Sequence, residues 1–284
     1  MSISGNSLPP LRLVLTTRCN GKCFFCHEEG QTASGDMEEK QIIEAVHDAK
    51  RLGIKAISLT GGEPTLRPDL GNIINRILCI YPDVELKLTT NGFNLTSHAQ
   101  IIETPINTLN LSFTSFSEEI AHRYQNVDPL KALDALEEFP AAKKNLNVLV
   151  STDNYLELDD IFQYCEKHSI DLDLMFELRK CRDQDRKLLL HVFRLLCIKG
   201  NAKVVMNSTP TIEVQCSSMR IRVKHPYLSR LIHRRICATC ICQTECFERV
   251  CAVRVFANGD ISPCINRHIL TKSIEEAYQL FRFD

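Results

Sequence analysis

Six short apolar runs, each followed by an amphipathic stretch, fill the first 200 residues and narrow the choice of folds more than any other feature. The strand candidates are LRLVLTT (11–17), AISLTG (56–61), VELKLTT (84–90), TLNLSFTS (108–115), LNVLVST (146–152) and IDLDLMFE (170–177). Helix candidates lie at 37–52, 69–80, 117–139, 157–168 and 183–199. In the first of these Ile42, Val46 and Ala49 recur at helical spacing, Asp36 is placed to cap the start and Gly53 to stop it. Alternation of this kind predicts an α/β protein with a parallel sheet. Near-continuous apolar strands suggest cover on both faces, and a doubly wound sheet and an open barrel fit equally well. The rhythm stops near 200, which predicts one domain over 1–205 and a second over 206–284.

Several polar motifs follow the C-terminal ends of the candidate strands: cysteines after the first, GGEPT after the second, TNG after the third. Barrels and open α/β sheets both place their sites there. The net charge of −1 gives no reason to expect nucleic acid or a membrane surface as partner. There is no apolar run of membrane-spanning length and no secretory pattern at the N-terminus, so a cytoplasmic location is expected. Against that background 14 cysteines are anomalous. A reducing compartment disfavours disulfides, so clustered cysteines point to metal or redox chemistry.

Two clusters stand out. Cys19, Cys23 and Cys26 form the first; Cys237, Cys240, Cys242, Cys246, Cys251 and Cys264 form the second. Three thiolates can hold three irons of a [4Fe–4S] cube and leave the fourth iron open to a small molecule. Zinc, with His27 as a further donor, is the rival ligand. Cys79, Cys165, Cys181, Cys197 and Cys216 are scattered and read as small buried side chains.

The motif CxxxCxxC after the first strand, with the aromatic Phe25 before its last cysteine, resembles that of the radical S-adenosylmethionine (SAM) enzymes. So does GGEP, present as Gly61, Gly62, Glu63 and Pro64 after the second strand. The resemblance implies a partial (β/α)6 TIM-like barrel. It also implies a [4Fe–4S] cluster whose open iron chelates SAM, and reductive cleavage giving a 5′-deoxyadenosyl radical that abstracts hydrogen from a substrate. An electron donor such as flavodoxin or ferredoxin is implied as partner. Gly61 and Gly62 would let the backbone approach the methionine moiety. Glu63 would accept from its ammonium group. Asn91 of TTNG and Ser112 match positions that contact the ribose, although Asn-Gly is also a plain turn pair.

Within that superfamily most of the chain is similar to the GTP 3′,8-cyclases. Arg12, seven positions before Cys19, and Arg254 in VRVFANGDISPC match arginines that contact the nucleotide there. The departures are Thr114 for an aspartate, Asn145 for a triphosphate-binding lysine and Leu174 for a sixth-strand arginine. Phe247, Val250 and Ala252 stand in place of paired cysteines and an arginine, with Cys251 out of step. The chain also ends at FRFD, where those cyclases carry a glycine-ended tail. A triphosphate needs several cations, so GTP cyclisation itself is not expected.

The spacing from Cys246 through Gly259 to Cys264 is similar to the opening of the auxiliary-cluster domains of many radical SAM enzymes. ANGD would turn between two short strands. Cys251 and Cys240 (or Cys237) would complete the ligand set of a second [4Fe–4S] cluster in a short, twitch-type domain. Zinc bound by CATC and its neighbours is the alternative. The expected activity is hydrogen abstraction from a small-molecule or nucleotide-like biosynthetic substrate. The alternatives are a maturase of ribosomal peptides, although residues 1–10 leave little room for a leader-binding domain, and a non-catalytic iron–sulfur or zinc protein.

Overall fold

The computed structural model describes residues 8–23, 25–26, 35–99, 102, 105–176, 183–199, 202–205, 211–216, 218–224, 235–238, 240–241, 252–265, 267 and 269–282. Six βα units come first: β1 (Leu11–Val14), α1 (Glu39–Leu52), β2 (Ala56–Thr60), α2 (Leu70–Ile80), β3 (Glu85–Thr90), α3 (Leu95–Ala99), β4 (Ile106–Phe113), α4 (Glu118–Tyr124), α5 (Pro129–Glu138), β5 (Ala141–Leu149), α6 (Leu158–His168), β6 (Asp171–Met175) and α7 (Asp183–Lys199). There follow β7 (Ala202–Val205), β8 (Thr211–Gln215), β9 (Arg220–Lys224), α8 (Arg235–Ala238), β10 (Val253–Val255), β11 (Ile261–Ser262) and α9 (Ile274–Arg282). All the strands join one open sheet in the order β11-β10-β1-β2-β3-β4-β5-β6-β9-β8-β7. From β10 through β1–β6 to β9 every pairing is parallel. The antiparallel strands β11, β8 and β7 extend the edges, so strands from beyond residue 205 lie at both ends of the same sheet.

Strand register explains why this sheet is a partial barrel rather than a doubly wound sheet. Leu11, Leu13, Ile57, Leu59, Leu86, Leu88, Leu109, Leu111, Leu146, Val148, Leu172 and Leu174 share one face, and each is buried. That face carries a single helix layer, in which α9, α1, α2, α3 and α5 pack in succession. Arg12, Ser58, Lys87, Asn110, Asn145, Asn147 and Asp173 alternate with those residues and point to the other side. A face so polar needs solvent or ligand rather than a second helix layer. The expectation of strands covered on both faces is thus corrected; the apolar positions alternate. No helix among the described residues is long and apolar enough to cross a membrane.

Three local departures matter for the site. Asp36 does not cap α1. Its carboxylate accepts from Thr16 Oγ1 at 2.6 Å and from Arg18 Nη2 at 2.7 Å, while Gln41 Oε1 closes the helix start on Glu38 N–H at 3.0 Å. The helix expected over 117–139 breaks at Gln125–Asp128, because Asp128 caps a new start by accepting from Leu130 N and Lys131 N, and Pro129 takes the first position. Leu174 is fully buried on the helix side, so it stands at no substrate-facing position.

Candidate functional site

The cysteine loop leaves β1 and is held from two directions. On one side Gly62 N–H donates to Thr16 O and Glu63 N–H to Arg18 O, both at 2.7 Å. A Cβ on Gly62 would lie 2.2 Å from Arg18 O, and one on Gly61 would lie 2.7 Å from Thr16 O. The two glycines are therefore required by the backbone of the cysteine loop, a role beyond the expected approach to a methionine moiety. On the other side lies the C-terminus of α4, which the break before α5 turns toward the loop. Tyr124 O accepts from Lys22 N–H at 2.8 Å and from the Cys23 thiol at 3.1 Å. Asn20 Nδ2 donates to Gln125 O at 3.1 Å.

Cys19 and Cys26 are exposed and Cys23 is partly buried. Burial pushes the Cys23 thiol up to about 12, with the Cys26 and Cys19 thiols adding to the rise. Burial also raises Cys19; Glu63 and Cys26 push the same way, and the Gly21 N–H, which donates to its Sγ at 3.3 Å, opposes them. Mutual repulsion of this kind places the three sulfurs in one electrostatic neighbourhood. Among the described residues no three His, Cys, Asp or Glu side chains close on a point that could hold one metal ion. A cube asks for something else, one thiolate on each of three irons, with cationic iron favouring the thiolate form. The donor set fits that group.

Glu63 is the hub beside this loop. Its carboxylate is 2% exposed. Oε1 accepts from Thr65 N at 2.9 Å, Thr65 Oγ1 at 2.6 Å and Thr90 Oγ1 at 2.5 Å; Oε2 accepts from Asn91 N at 2.7 Å. Burial raises its pKa, opposed by those four donors. A carboxylate oxygen has two lone pairs, so Oε2 retains capacity for a further donor such as an ammonium group. Below the hub, His98 Nε2 lies 3.0 Å from Thr65 O, and buried Arg67 donates to Leu15 O and Met37 O at 2.9 and 2.7 Å.

Glu63→Gln tests the hub. An amide cannot accept at both ends, so its NH2 must face a backbone N–H. That unmet donor costs stability, while losing the charge-assisted bond to an ammonium group costs about 1.5–3 kcal/mol, about a 10- to 150-fold loss of SAM affinity. Equilibrium dialysis with SAM measures this directly, and wild-type affinity in the variant would remove Glu63 from the site.

Asn91 serves as both turn and linker. Its Oδ1 accepts from Phe93 N at 3.0 Å, Gly92 sits at φ 86°, and Nδ2 donates to Asn20 Oδ1 at 2.9 Å. Ser112 is half-buried at the end of β4, and Gln125 Nε2 donates to its carbonyl at 2.7 Å. Gln125 Oε1 in turn accepts from Thr114 Oγ1 at 3.2 Å. Asn91, Asn20, Gln125 and Ser112 are thereby joined in one hydrogen-bonded chain. Asn20, Gln125, Tyr124, Thr65 and Thr90 carry no motif of their own. Of these Thr65 and Thr90 lie inside GGEPT and TTNG and Asn20 inside CxxxCxxC, whereas Tyr124 and Gln125 had no signal in the sequence.

Arg12 and Arg254 are register neighbours on β1 and β10, and both side chains point to the polar face. Arg254 is fully buried; its Nη1 donates to Ala252 O at 3.4 Å. The ANGD turn forms as expected, with Gly259 at φ 88° joining β10 to β11. Cys264 is buried just after β11, where its N–H donates to Ser262 Oγ at 3.1 Å. Cys240 is partly buried after α8, and Cys246 and Cys251 lie outside the described residues.

A family model described as the Radical SAM superfamily matches residues 13–165. A protein of Thermococcus kodakarensis named "Probable GTP 3',8-cyclase" is 35% identical over 179 residues, covering 60% of this chain and 57% of that protein. Its namesake from Sulfurisphaera tokodaii is 28% identical over 281 residues, covering 93% of this chain and 83% of that one. In the first match, therefore, the chain spans less than two thirds of its relative. Among solved structures, Streptococcus suis SuiB bound to S-adenosylmethionine superposes with a TM-score of 0.69 at 17% identity, covering 97% of this chain and 66% of that one. This last likeness is one of fold.

Proposed function

The chain belongs to the radical SAM superfamily, and from that premise we propose that it directs hydrogen abstraction at a small-molecule or nucleotide-like substrate held on the polar face of its sheet. Family membership implies a [4Fe–4S] cluster and SAM, which together supply one electron and the 5′-deoxyadenosyl radical that takes the hydrogen. Everything else falls to the protein. Cys19, Cys23 and Cys26 would hold the cluster. Glu63 Oε2 accepts from the ammonium of SAM, and Asn91 and Ser112 orient its ribose. Arg12 and Arg254 contact the substrate from β1 and β10. The observation that carries this reading is the docking of GGEP onto the cysteine loop, since Gly62 and Glu63 donate to the carbonyls of Thr16 and Arg18. Cluster motif and SAM motif thus form one unit.

Anaerobic reconstitution with iron and sulfide, then dithionite and SAM, tests the reading; 5′-deoxyadenosine is the expected product. Its absence from a fully loaded protein would overturn the assignment. GTP is an arm of the same assay. Thr114 and Asn145 still weigh against cyclisation, whereas Leu174 no longer counts because it faces the helices. A 3′,8-cyclised product would place the chain with the cyclases that it resembles.

A second [4Fe–4S] cluster on Cys246, Cys264, Cys251 and Cys240 is part of the proposal. Replacing Cys246 and Cys264 by alanine should lower iron by about four per chain. Loss of one zinc with iron unchanged would refute a second cube. The electron donor is a flavodoxin or ferredoxin in this reading, and adding either should replace dithionite.

A further inference from the structure

The polar face between β4 and β9 carries a row of side chains of which only the first, Ser112, has a role above. Register aligns Ser112 of β4, Asn147 of β5, Asp173 of β6 and Arg222 of β9 on one face. Lys224 follows Arg222 by two residues, on the same face and opposite Met175. Because β9 runs parallel to β6, its C-terminal end opens on the same edge as the cysteine loop, GGEP and TNG. Ser112 at the start of the row is the proposed ribose contact, so the row leads from SAM into the space where a substrate must lie.

The charges in this row do not cancel. Asp173 is 2% exposed, and its carboxylate accepts from Arg222 Nε at 2.5 Å and Nη2 at 2.6 Å, in the planar fork that arginine favours. Lys224 Nζ lies 3.5 Å from the same carboxylate. The side chains of Arg222 and Lys224 are 26% and 37% exposed, open to the polar side. Two cations on one carboxylate leave a surplus of one positive charge, and farther along the same register line Glu213 of β8 stands opposite Lys203 of β7, so that this second pair leaves the sum unchanged. Next to them Arg220 and Asp171 form a one-to-one pair, with Nη2 and Oδ2 3.0 Å apart, and add nothing.

The neighbouring amides fix the sense of hydrogen bonding. Asn145 Nδ2 donates to Asn110 Oδ1 at 3.1 Å and to Asn147 Oδ1 at 2.8 Å. With its oxygen taken, Asn147 presents Nδ2 as a donor. Asn147, Arg222 and Lys224 therefore all offer hydrogens, so an oxyanion matches them and another cation does not. Asp173 limits the charge they can neutralise.

Resting on the reading of the site given above, we infer that Asn147, Arg222 and Lys224, set by Asp173, form a specificity subsite for a singly charged oxyanion of the substrate, a carboxylate or a phosphodiester. A polyphosphate would bring more charge than this row can balance. The cations come from β9, beyond the six βα units.

The test uses the full reconstituted chain, anaerobic calorimetry and three probes: hippurate, 3′,5′-cyclic GMP and tripolyphosphate. Lys224→Met should weaken hippurate or cyclic GMP by about tenfold or more, the effect of losing one charged hydrogen bond, and leave tripolyphosphate unchanged. Which probe responds tells carboxylate from phosphodiester. Asp173→Asn raises the surplus to two and should tighten tripolyphosphate. Failure of the wild type to bind either monoanion, wild-type affinities in Lys224→Met, or a loss confined to tripolyphosphate each overturn the inference. If the buried Asp173→Asn variant does not fold, the Lys224 result decides alone. Because binding is read without turnover, this can fail while 5′-deoxyadenosine is still formed, and the reverse also holds.

Discussion

Alanine at Cys19, Cys23 and Cys26 is expected to remove about four irons per chain and to bring 5′-deoxyadenosine formation to background, with little change in the thermal stability of the unloaded chain. The stability clause follows from the structure. Cys19 and Cys26 are exposed, and Cys23 contributes one thiol hydrogen bond to Tyr124 O, so the triple change uncovers little apolar surface. Loss of function should be total because in the proposed reading all three protein ligands of the cube beside the GGEP loop are removed at once. Burial and the neighbouring thiols raise Cys23 to about 12, so the thiol stays protonated at neutral pH until cationic iron displaces the proton. Cluster loading should therefore release protons, and it should slow as pH falls. Iron analysis, chromatography of the nucleoside and a melting curve check the three parts separately. Retained SAM cleavage in the triple variant would mean that the cluster is held elsewhere.

Gly62→Ala is the second large effect, and here the damage is to geometry rather than to chemistry. The new methyl would lie 2.2 Å from Arg18 O, 2.6 Å from its carbonyl carbon and 3.0 Å from Cys19 Cβ. The first two are backbone atoms, so no rotamer relieves the clash. Either the cysteine loop or the GGEP loop must move, and the 2.7 Å bonds to Thr16 O and Arg18 O are strained or lost. Overpacking together with a lost hydrogen bond amounts to about 2–4 kcal/mol, or about a 30- to 900-fold fall in SAM cleavage. Glycine at this position serves close approach rather than an unusual φ. Iron content separates this outcome from that of the cysteine variants: Gly62→Ala should load most of its iron and fail at SAM binding. Activity within threefold of wild type would show that the two loops are not docked in solution.

How far such features can be read from sequence varies along the chain. The six βα units were legible because the period of apolar residues survives in each strand, and CxxxCxxC and GGEP were legible because their chemistry is local. The face of the sheet was not read correctly, although NLNVL and DLDLM already alternate. Grouping these segments as apolar runs hid the polar side and gave Leu174 a substrate-facing position that it does not occupy. The strand β5 begins at Ala141, ahead of the expected 146, and its start was missed because Ala142 and Lys143 are exposed and AAKK shows no apolar alternation. The break between α4 and α5 was written in Asp128 and Pro129, a cap followed by a first-turn proline, but apolar periodicity on both sides concealed it. Asn20 lies inside CxxxCxxC, but its contact with Gln125 was out of reach, since it spans about a hundred residues and nothing local marks Gln125. Likewise, β7, β8 and β9 follow the point at which the βα rhythm stops, so the cations of β9 could not be placed beside β6.

The closure of the cysteine loop by the end of α4 has a temporal consequence. Tyr124 and Gln125 supply the carbonyls that fix Lys22, Cys23 and Asn20, so the loop cannot take its final shape until residue 125 has left the ribosome and β4 has joined the sheet. A growing chain that has exposed only its first three βα units carries all three thiols of the cluster motif, but without their clamp. If these cysteines hold the cluster as proposed, iron insertion would follow that step, and the interval before it is when those thiols would be open to oxidation or to the wrong metal.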